Sequence, residues 1–328
     1  MNRKLFPPKV FLLLFATFCI VLSLIAKDTP PKPPRGYPNH AFLKAAYALR
    51  LLKLVDRNPE IPDSIMVYKD LVYKRTKSRD LKLDVFMLKN IQQPRPLLIF
   101  IHGGGWKKGQ KEDYLLYLID FARRGYITAT VSYRFSQEAH FPAAVSDVKC
   151  AVRWLRAHAK EYHIDPNKIA AIGGSAGGHL ALMVGYTANV PELDGECEYN
   201  SVSSRVQAVV DLYGAVDLTT DFARKNASVL AFIGASYDEA AEKYRAASPI
   251  NYVTPDDPPT LIFQGTIDKL VPVHQSDMLK EKLDKVGVPN EYHRLKGWPH
   301  TMDAAVQVNK YCQYYMNAFF EKHIPITK

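Results

Sequence analysis

The stretch Lys168-Ile169-Ala170-Ala171-Ile172-Gly173-Gly174-Ser175-Ala176-Gly177-Gly178-His179-Leu180-Ala181-Leu182 constrains the fold of this 328-residue chain more than any other. Residues 169–172 are a short apolar run of the kind buried in a sheet, and Leu180, Met183 and Val184 follow at helical spacing. Between them lies Gly-x-Ser-x-Gly, as Gly173, Ser175 and Gly177. A strand that turns at once into a helix forces backbone segments together, and glycine leaves room for that at the flanking positions. Such a turn lifts a serine hydroxyl above the sheet, with a helix N-terminus behind it to favour developing negative charge. An ordinary glycine turn would match the same five residues, so the partners of the serine and their order decide the matter.

The rest of the chain supplies a framework for that turn. Apolar or alternating runs at 66–74, 81–88, 97–101, 126–133, 207–213, 260–264 and 291–295 read as further strands. Helical patterns at 112–124, from Pro142 onward, at 274–285 and at 301–322 separate most of them. This alternation predicts an α/β chain with a mainly parallel eight-stranded sheet and helices on both faces. The first two strands, joined without a helix, would form an antiparallel edge. Residues 213–258 are weakly patterned and read as a small cap.

In sheets of this kind reactive groups gather beyond the C-terminal strand ends. His102-Gly103-Gly104-Gly105-Trp106 follows an apolar strand there. Its glycines let backbone N–H groups turn toward a substrate carbonyl, so Gly104 and Gly105, with Ala176, are the expected oxyanion-hole donors. Asp268 leaves the strand at 260–264, and His300 lies between the last strand and the last helix. The order Ser175, Asp268, His300 is that of α/β-hydrolases. A serine hydroxyl is a weak nucleophile until a neutral imidazole accepts its proton, and a carboxylate orients that imidazole and stabilises its charged form. Asp217 also follows an apolar strand, but Leu218-Thr219-Thr220 after it suits a turn or capping residue. His102 reads as shaping the glycine loop and His179 as part of the nucleophile helix, while His40, His158, His163 and His323 read as surface or packing residues. Trp106, Tyr133 and Phe135 suggest the wall of a pocket for a compact or aromatic group.

Taken together these residues resemble an α/β-hydrolase of the esterase/lipase group that carries an HGGG motif, a group that includes hormone-sensitive-lipase-like enzymes. The chain is most similar to the branch with His-Gly-Gly-Gly-Trp and Gly-Gly-Ser-Ala-Gly-Gly-His, which contains bacterial feruloyl and acetyl-xylan esterase-like proteins. Leu83-Asp84-Val85, Ser132-Tyr133-Arg134 and Phe141-Pro142-Ala143 match that branch as well, and the resemblance covers roughly residues 67–320. It implies the α/β-hydrolase fold and hydrolysis of a small-molecule carboxylic ester through an acyl-enzyme. No metal or organic cofactor is indicated. An arylformamidase or peptidase of the same fold is an alternative, although no repeat-bearing propeller precedes the sheet. A non-catalytic binding protein of this fold is another, disfavoured by the presence of Ser175, Asp268 and His300 together.

Composition decides less. The formal charge of +10 comes from scattered Lys and Arg with only short clusters, at 74–79 and 107–108, and no nucleic-acid motif accompanies them. A solvated basic surface is expected rather than a nucleic-acid partner. At the front, Arg3, Lys4 and Lys9 precede an uncharged apolar run, 10–26. Residues 1–26 read as a signal sequence or N-terminal membrane anchor that leaves the catalytic domain on the exported side. Leu24 is bulky for a cleavage site ending at Ala26, so a retained anchor is the first expectation. Residues 27–40 read as a proline-rich linker and 41–328 as the catalytic domain. Within 41–55, Phe42, Ala45, Ala46, Leu49 and Leu52 describe an amphipathic helix packed on the domain or on a membrane. Cys150, Cys197 and Cys312 cannot all pair, and no disulfide framework is expected.

Overall fold

The computed structural model of the protein describes residues 29–327. Its elements begin with helix α1 (His40–Ala48), strands β1 (Ile65–Arg75), β2 (Asp80–Leu88) and β3 (Arg95–Ile101), and helix α2 (Leu115–Arg123). Strand β4 (Ile127–Val131), helix α3 (Ala143–Ala157), strand β5 (Ile164–Gly174), helix α4 (Ala176–Tyr186) and strand β6 (Ala208–Leu212) follow. Three short helices come next, α5 (Asp221–Arg224), α6 (Ala227–Ile233) and α7 (Tyr237–Ala246). Strand β7 (Thr260–Gly265), helix α8 (His274–Val286), strand β8 (Asn290–Leu295) and helix α9 (Val306–His323) complete the chain.

The strands form one eight-stranded sheet in the order β1-β2-β4-β3-β5-β6-β7-β8. β1 pairs antiparallel with β2, and β2 with β4; every later pairing is parallel. The residue pattern explains the centre of this sheet. In β3, Leu97, Ile99 and Ile101 enter the core on one face, Leu98 and Phe100 enter the core on the other, and all five are buried. A strand covered on both sides is apolar at successive positions rather than alternating. Val148 of α3, Leu180 of α4 and Leu279 of α8 cover the first face; Leu118 and Phe121 of α2 and Phe320 of α9 cover the second. Each such side chain contributes about 1.5–3 kcal/mol relative to exposure. That packing fixes the strand ends from which the functional loops depart.

The N-terminal part departs from expectation. Helix α1 stops at Ala48, before a left-handed Arg50 (φ 58°), and buries only Ala46. Phe42 and Leu49 are exposed, so of the two expected contacts, domain or membrane, they do not make the one with the domain. The proline-rich segment is partly fixed, because the compact unit begins at Pro34. The Pro34 carbonyl accepts from the Trp298 indole (2.9 Å), the Tyr37 N–H donates to the Gly297 carbonyl (2.9 Å), and the His40 Nε2–H donates to the Ile267 carbonyl (2.8 Å). The run 10–26, and with it the expected signal or anchor, lies outside the described residues. Among the described residues no helix is long and apolar enough to cross a membrane.

A further difference is covalent. Cys150 on α3 is bonded to Cys197, 47 residues away, while Cys312 is buried and free. The bond fastens the irregular segment after α4 onto α3. Beside it, the buried Lys149 donates to the Thr187 carbonyl (2.6 Å), and Arg153 pairs with Asp194 (2.7 Å). Closing a loop of this length stabilises the fold by about 4 kcal/mol in the chain-entropy account.

Candidate active site

Strand β5 ends at Gly174 and helix α4 begins at Ala176, so Ser175 alone makes the turn. Its backbone (φ 58°, ψ −122°) lies where a residue other than glycine is strained. The Ser175 N–H donates to the Leu212 carbonyl (2.8 Å), tying the turn to β6, and the His179 N–H donates to the Ser175 carbonyl (3.0 Å). A Cβ on Gly177 would lie 2.0 Å from the Ile101 carbonyl oxygen, and one on Gly173 would lie 2.2 Å from that of Gly177. The helix can start directly against β3 and β5 because these two positions carry no side chain.

The loops after β7 and β8 bring Asp268 and His300 to this serine. His300 Nε2 is 2.8 Å from Ser175 Oγ, and His300 Nδ1 is 2.6 Å from Asp268 Oδ2. The carboxylate therefore accepts the Nδ1 proton, which leaves Nε2 free to accept from the serine hydroxyl. Asp268 is held in turn by its own loop: Oδ1 accepts from the N–H groups of Leu270 (2.8 Å) and Val271 (2.9 Å), and Oδ2 from Gln264 Nε2 (3.2 Å). Asp217 stands apart from this line. Its Oδ1 accepts from the Thr219 N–H (2.8 Å) and hydroxyl (2.7 Å), closing a side-chain turn ahead of α5.

The glycine loop follows β3. Gly104 (φ 107°) and Gly105 (φ 61°) both take left-handed backbone there. The loop is anchored through its carbonyls. The Tyr133 hydroxyl donates to those of His102 (3.0 Å) and Gly103 (3.3 Å), and His102 Nδ1–H to that of Gly103 (2.8 Å). His102 stacks on Tyr133 and its burial lowers the imidazole pKa, which suits a neutral shaping residue. His179 is likewise structural: Nε2–H donates to the Ala247 carbonyl (2.8 Å), Nδ1 accepts from the Trp106 indole (3.2 Å), and burial pushes its pKa down to about 4.

Gly104, Gly105 and Ala176 border Ser175 and His300 in one cavity of about 760 Å³. Trp106 lines it, but Tyr133 and Phe135 do not, contrary to expectation. Tyr133 is fully buried beneath the glycine loop, and Phe135 packs edge-on against it (5.8 Å). Four other lining residues, Tyr114, Tyr117, Tyr213 and Asp303, had no signal in the sequence beyond their type. The Tyr213 hydroxyl donates to Asp303, as does that of Tyr117 (3.3 Å), and the Tyr213 ring lies edge-to-face with His300 (4.7 Å). Burial raises the Asp303 pKa, opposed by the donated hydrogen bonds, and raises those of the three phenols well above their ordinary value. The phenols therefore remain protonated donors. Among the described residues no group of His, Cys, Asp and Glu could hold a metal ion.

A serine at a strand–helix turn, hydrogen-bonded through imidazole to a carboxylate above a mainly parallel sheet, defines an α/β-hydrolase with a serine-hydrolase type of site. The chain belongs to the BD-FAE family, whose model matches residues 83–283. It is 35% identical over 230 residues to "Esterase LipC" of Mycobacterium tuberculosis, covering 67% of this chain and 57% of that protein. The chain spans about half the length of the curated relatives it matches. Among solved structures, the apo form of Thermogutta terrifontis esterase 2 superposes with a TM-score of 0.70 at 28% identity, covering 84% of this chain and 100% of that one. That esterase has also been solved phosphonylated by cyclosarin and with propionate bound. A truncated carbohydrate esterase from gut microbiota gives a TM-score of 0.70 at 27% identity, covering 80% of this chain and 99% of that one.

Proposed function

We propose that the chain is a serine hydrolase of carboxylic esters. The observation that carries this reading is the unbroken hydrogen-bonded line from Ser175 through His300 to Asp268 at a cavity bordered by the glycine loop. Ser175 Oγ attacks the acyl carbon as His300 Nε2 takes its proton, and the Asp268 carboxylate stabilises the imidazolium. The N–H groups of Gly104, Gly105 and Ala176 donate hydrogen bonds to the carbonyl oxygen as negative charge develops on it. His300 then returns the proton to the departing alcohol, and water attacks the acyl-enzyme by the same route in reverse. The esterase relatives support this reading, as does the phosphonylated form of the Thermogutta enzyme. A panel of p-nitrophenyl, feruloyl and acetylated-sugar esters tests it, with Ser175→Ala as the control. No turnover of any panel member by the wild type above that control would refute it.

The acyl group is compact. Among the described residues the cap stretch 213–258 holds only short helices, α5 to α7 and a turn of 3-10 helix at Pro249–Tyr252, and Trp106 closes part of the wall. The propionate seen in the Thermogutta enzyme is in keeping with this. The expected result is that kcat/KM falls as the acyl chain lengthens beyond a few carbons. A maximum at long-chain esters would overturn it.

The chain is exported and held at a membrane by residues 1–26, with the catalytic domain on the far side. Arg3, Lys4 and Lys9 before the apolar run support that orientation. The Cys150–Cys197 bond suits an oxidising compartment. After alkaline carbonate washing the protein should stay with the membrane pellet if the run is retained, or appear exported and shortened if it is removed. Recovery of the full-length protein from the cytosol would refute both forms.

A further inference from the structure

Seven large hydrophobic side chains are exposed among the described residues, and five of them fall in one stretch: Phe42 (59%), Tyr47 (58%), Leu49 (69%), Leu51 (73%) and Leu54 (48%). They do not belong to the core: α1 gives the domain only Ala46, and Leu49, Leu51 and Leu54 beyond it are exposed as well. Lys44, Arg50 and Lys53 are interleaved with them, Lys32 and Arg35 stand just before, and no Asp or Glu occurs from residue 29 to residue 55. No ion pair among the described residues includes Lys44, Arg50 or Lys53.

Exposed apolar clusters on a monomer mark contact sites. The chemistry of this one selects its partner. Bulky apolar side chains set among basic groups, without a single acid, match an apolar layer beneath an anionic one, which is the headgroup boundary of a bilayer. A second copy docked patch to patch would instead bring the bases of both chains together, where like charges repel.

The stretch is fastened at both ends to the loops of the triad. At its start, His40 donates to the Ile267 carbonyl, next to Asp268. At its end, Leu54 bridges antiparallel to Ala305, the Val55 N–H donates to the Ala304 carbonyl (2.9 Å), and the Val306 N–H donates to the Lys53 carbonyl (2.9 Å). Val55 and the exposed Leu270 both line the cavity of Ser175. We propose that residues 42–54 are a membrane-surface contact of the folded domain, distinct from the run 10–26, that seats the active-site side of the domain on anionic lipid. Neither the ester reading nor the retention of residues 1–26 is needed for it.

The full chain is incorporated into phosphatidylcholine vesicles with or without phosphatidylglycerol, and deuterium uptake is followed along the backbone. Both vesicles receive the run 10–26 alike, so a difference between them reports on the patch. Uptake across 42–54 should be slower by about tenfold or more when phosphatidylglycerol is present, with the sheet strands unchanged. Lys44→Glu/Arg50→Glu/Lys53→Glu should abolish the difference, and so should Leu49→Ser/Leu51→Ser, which leaves the charges in place. Equal uptake in the two vesicles would overturn the proposal. So would slowing that grows with the number of protein copies per vesicle, the signature of contact between copies, or slowing that survives the loss of both leucines.

Discussion

Ser175→Ala is expected to lower kcat by on the order of 10⁵–10⁶ while the protein stays folded, because a triad without its nucleophile has no acyl-enzyme route. What remains is the weaker catalysis that oxyanion donors and substrate binding provide alone. The structure explains why the fold should survive. Alanine keeps the Cβ, so the unusual backbone at φ 58° is no more strained than with serine. The hydrogen bonds that close the turn, to Leu212 and from His179, use only backbone atoms. The side chain loses its bond to His300 Nε2, worth about 1 kcal/mol net. Turnover and melting temperature measured together separate the two effects. An organophosphonate should label the wild type with one equivalent and leave the variant unlabelled; equal labelling of both would remove Ser175 from its role.

Asp268→Asn is expected to reduce kcat by on the order of 10⁴, by presenting the wrong imidazole tautomer to the serine. Asp268 Oδ1 receives the N–H groups of Leu270 and Val271, and an asparagine oxygen can keep both bonds. The amide nitrogen then falls on the side of His300 Nδ1, where it donates instead of accepting. Nδ1 must give up its proton, and Nε2 turns a hydrogen toward Ser175 where an acceptor is required. Asp217→Asn should do almost nothing, since an asparagine oxygen sustains the same turn to Thr219. Asp217→Asn should melt close to the wild type, and Asp268→Asn lower, by about 1 kcal/mol of stability for the bond that Oδ2 accepts from Gln264 Nε2. If Asp217→Asn abolished turnover and Asp268→Asn did not, the two carboxylates would have to exchange roles.

How much of this was legible in the sequence follows from how local each signal is. The serine turn, the glycine loop and the ends of β7 and β8 are written in contiguous residues, and strand alternation with helices orders them in space. The hydrogen bond of His300 to Asp268 rather than to Asp217 was legible too, from the few residues that follow each. What escaped depends on contacts between distant positions. Tyr213 and Asp303 meet across 90 residues, and each alone looks like an ordinary core aromatic or surface acid. Cys150 and Cys197 have no characteristic spacing; only the path of the segment after α4 brings them together. Aromatic type alone suggests Tyr133 and Phe135 for the pocket wall, whereas the chain after β4 delivers Tyr133 beneath the glycine loop with Phe135 packed against it. The closing helix, read over 301–322, starts late because Thr301 is left-handed and Ala305 extended. An amphipathic pattern, as at 41–55, announces a contact without saying what is contacted.

The fastening of Pro34, Tyr37 and His40 has a mechanical consequence. Of their partners, Ile267 directly precedes Asp268, and Trp298 and Gly297 come shortly before His300 on the far side of Pro299, so the polypeptide enters the domain along the backbone that carries these two residues. A front end held in place would deliver tension to that backbone first and to the sheet only afterwards. A misplacement of about 1 Å among reacting groups can slow a reaction by 10²-fold. Were the chain held at a membrane by residues 1–26, a pull on that end would reach His300 and Asp268 before the sheet.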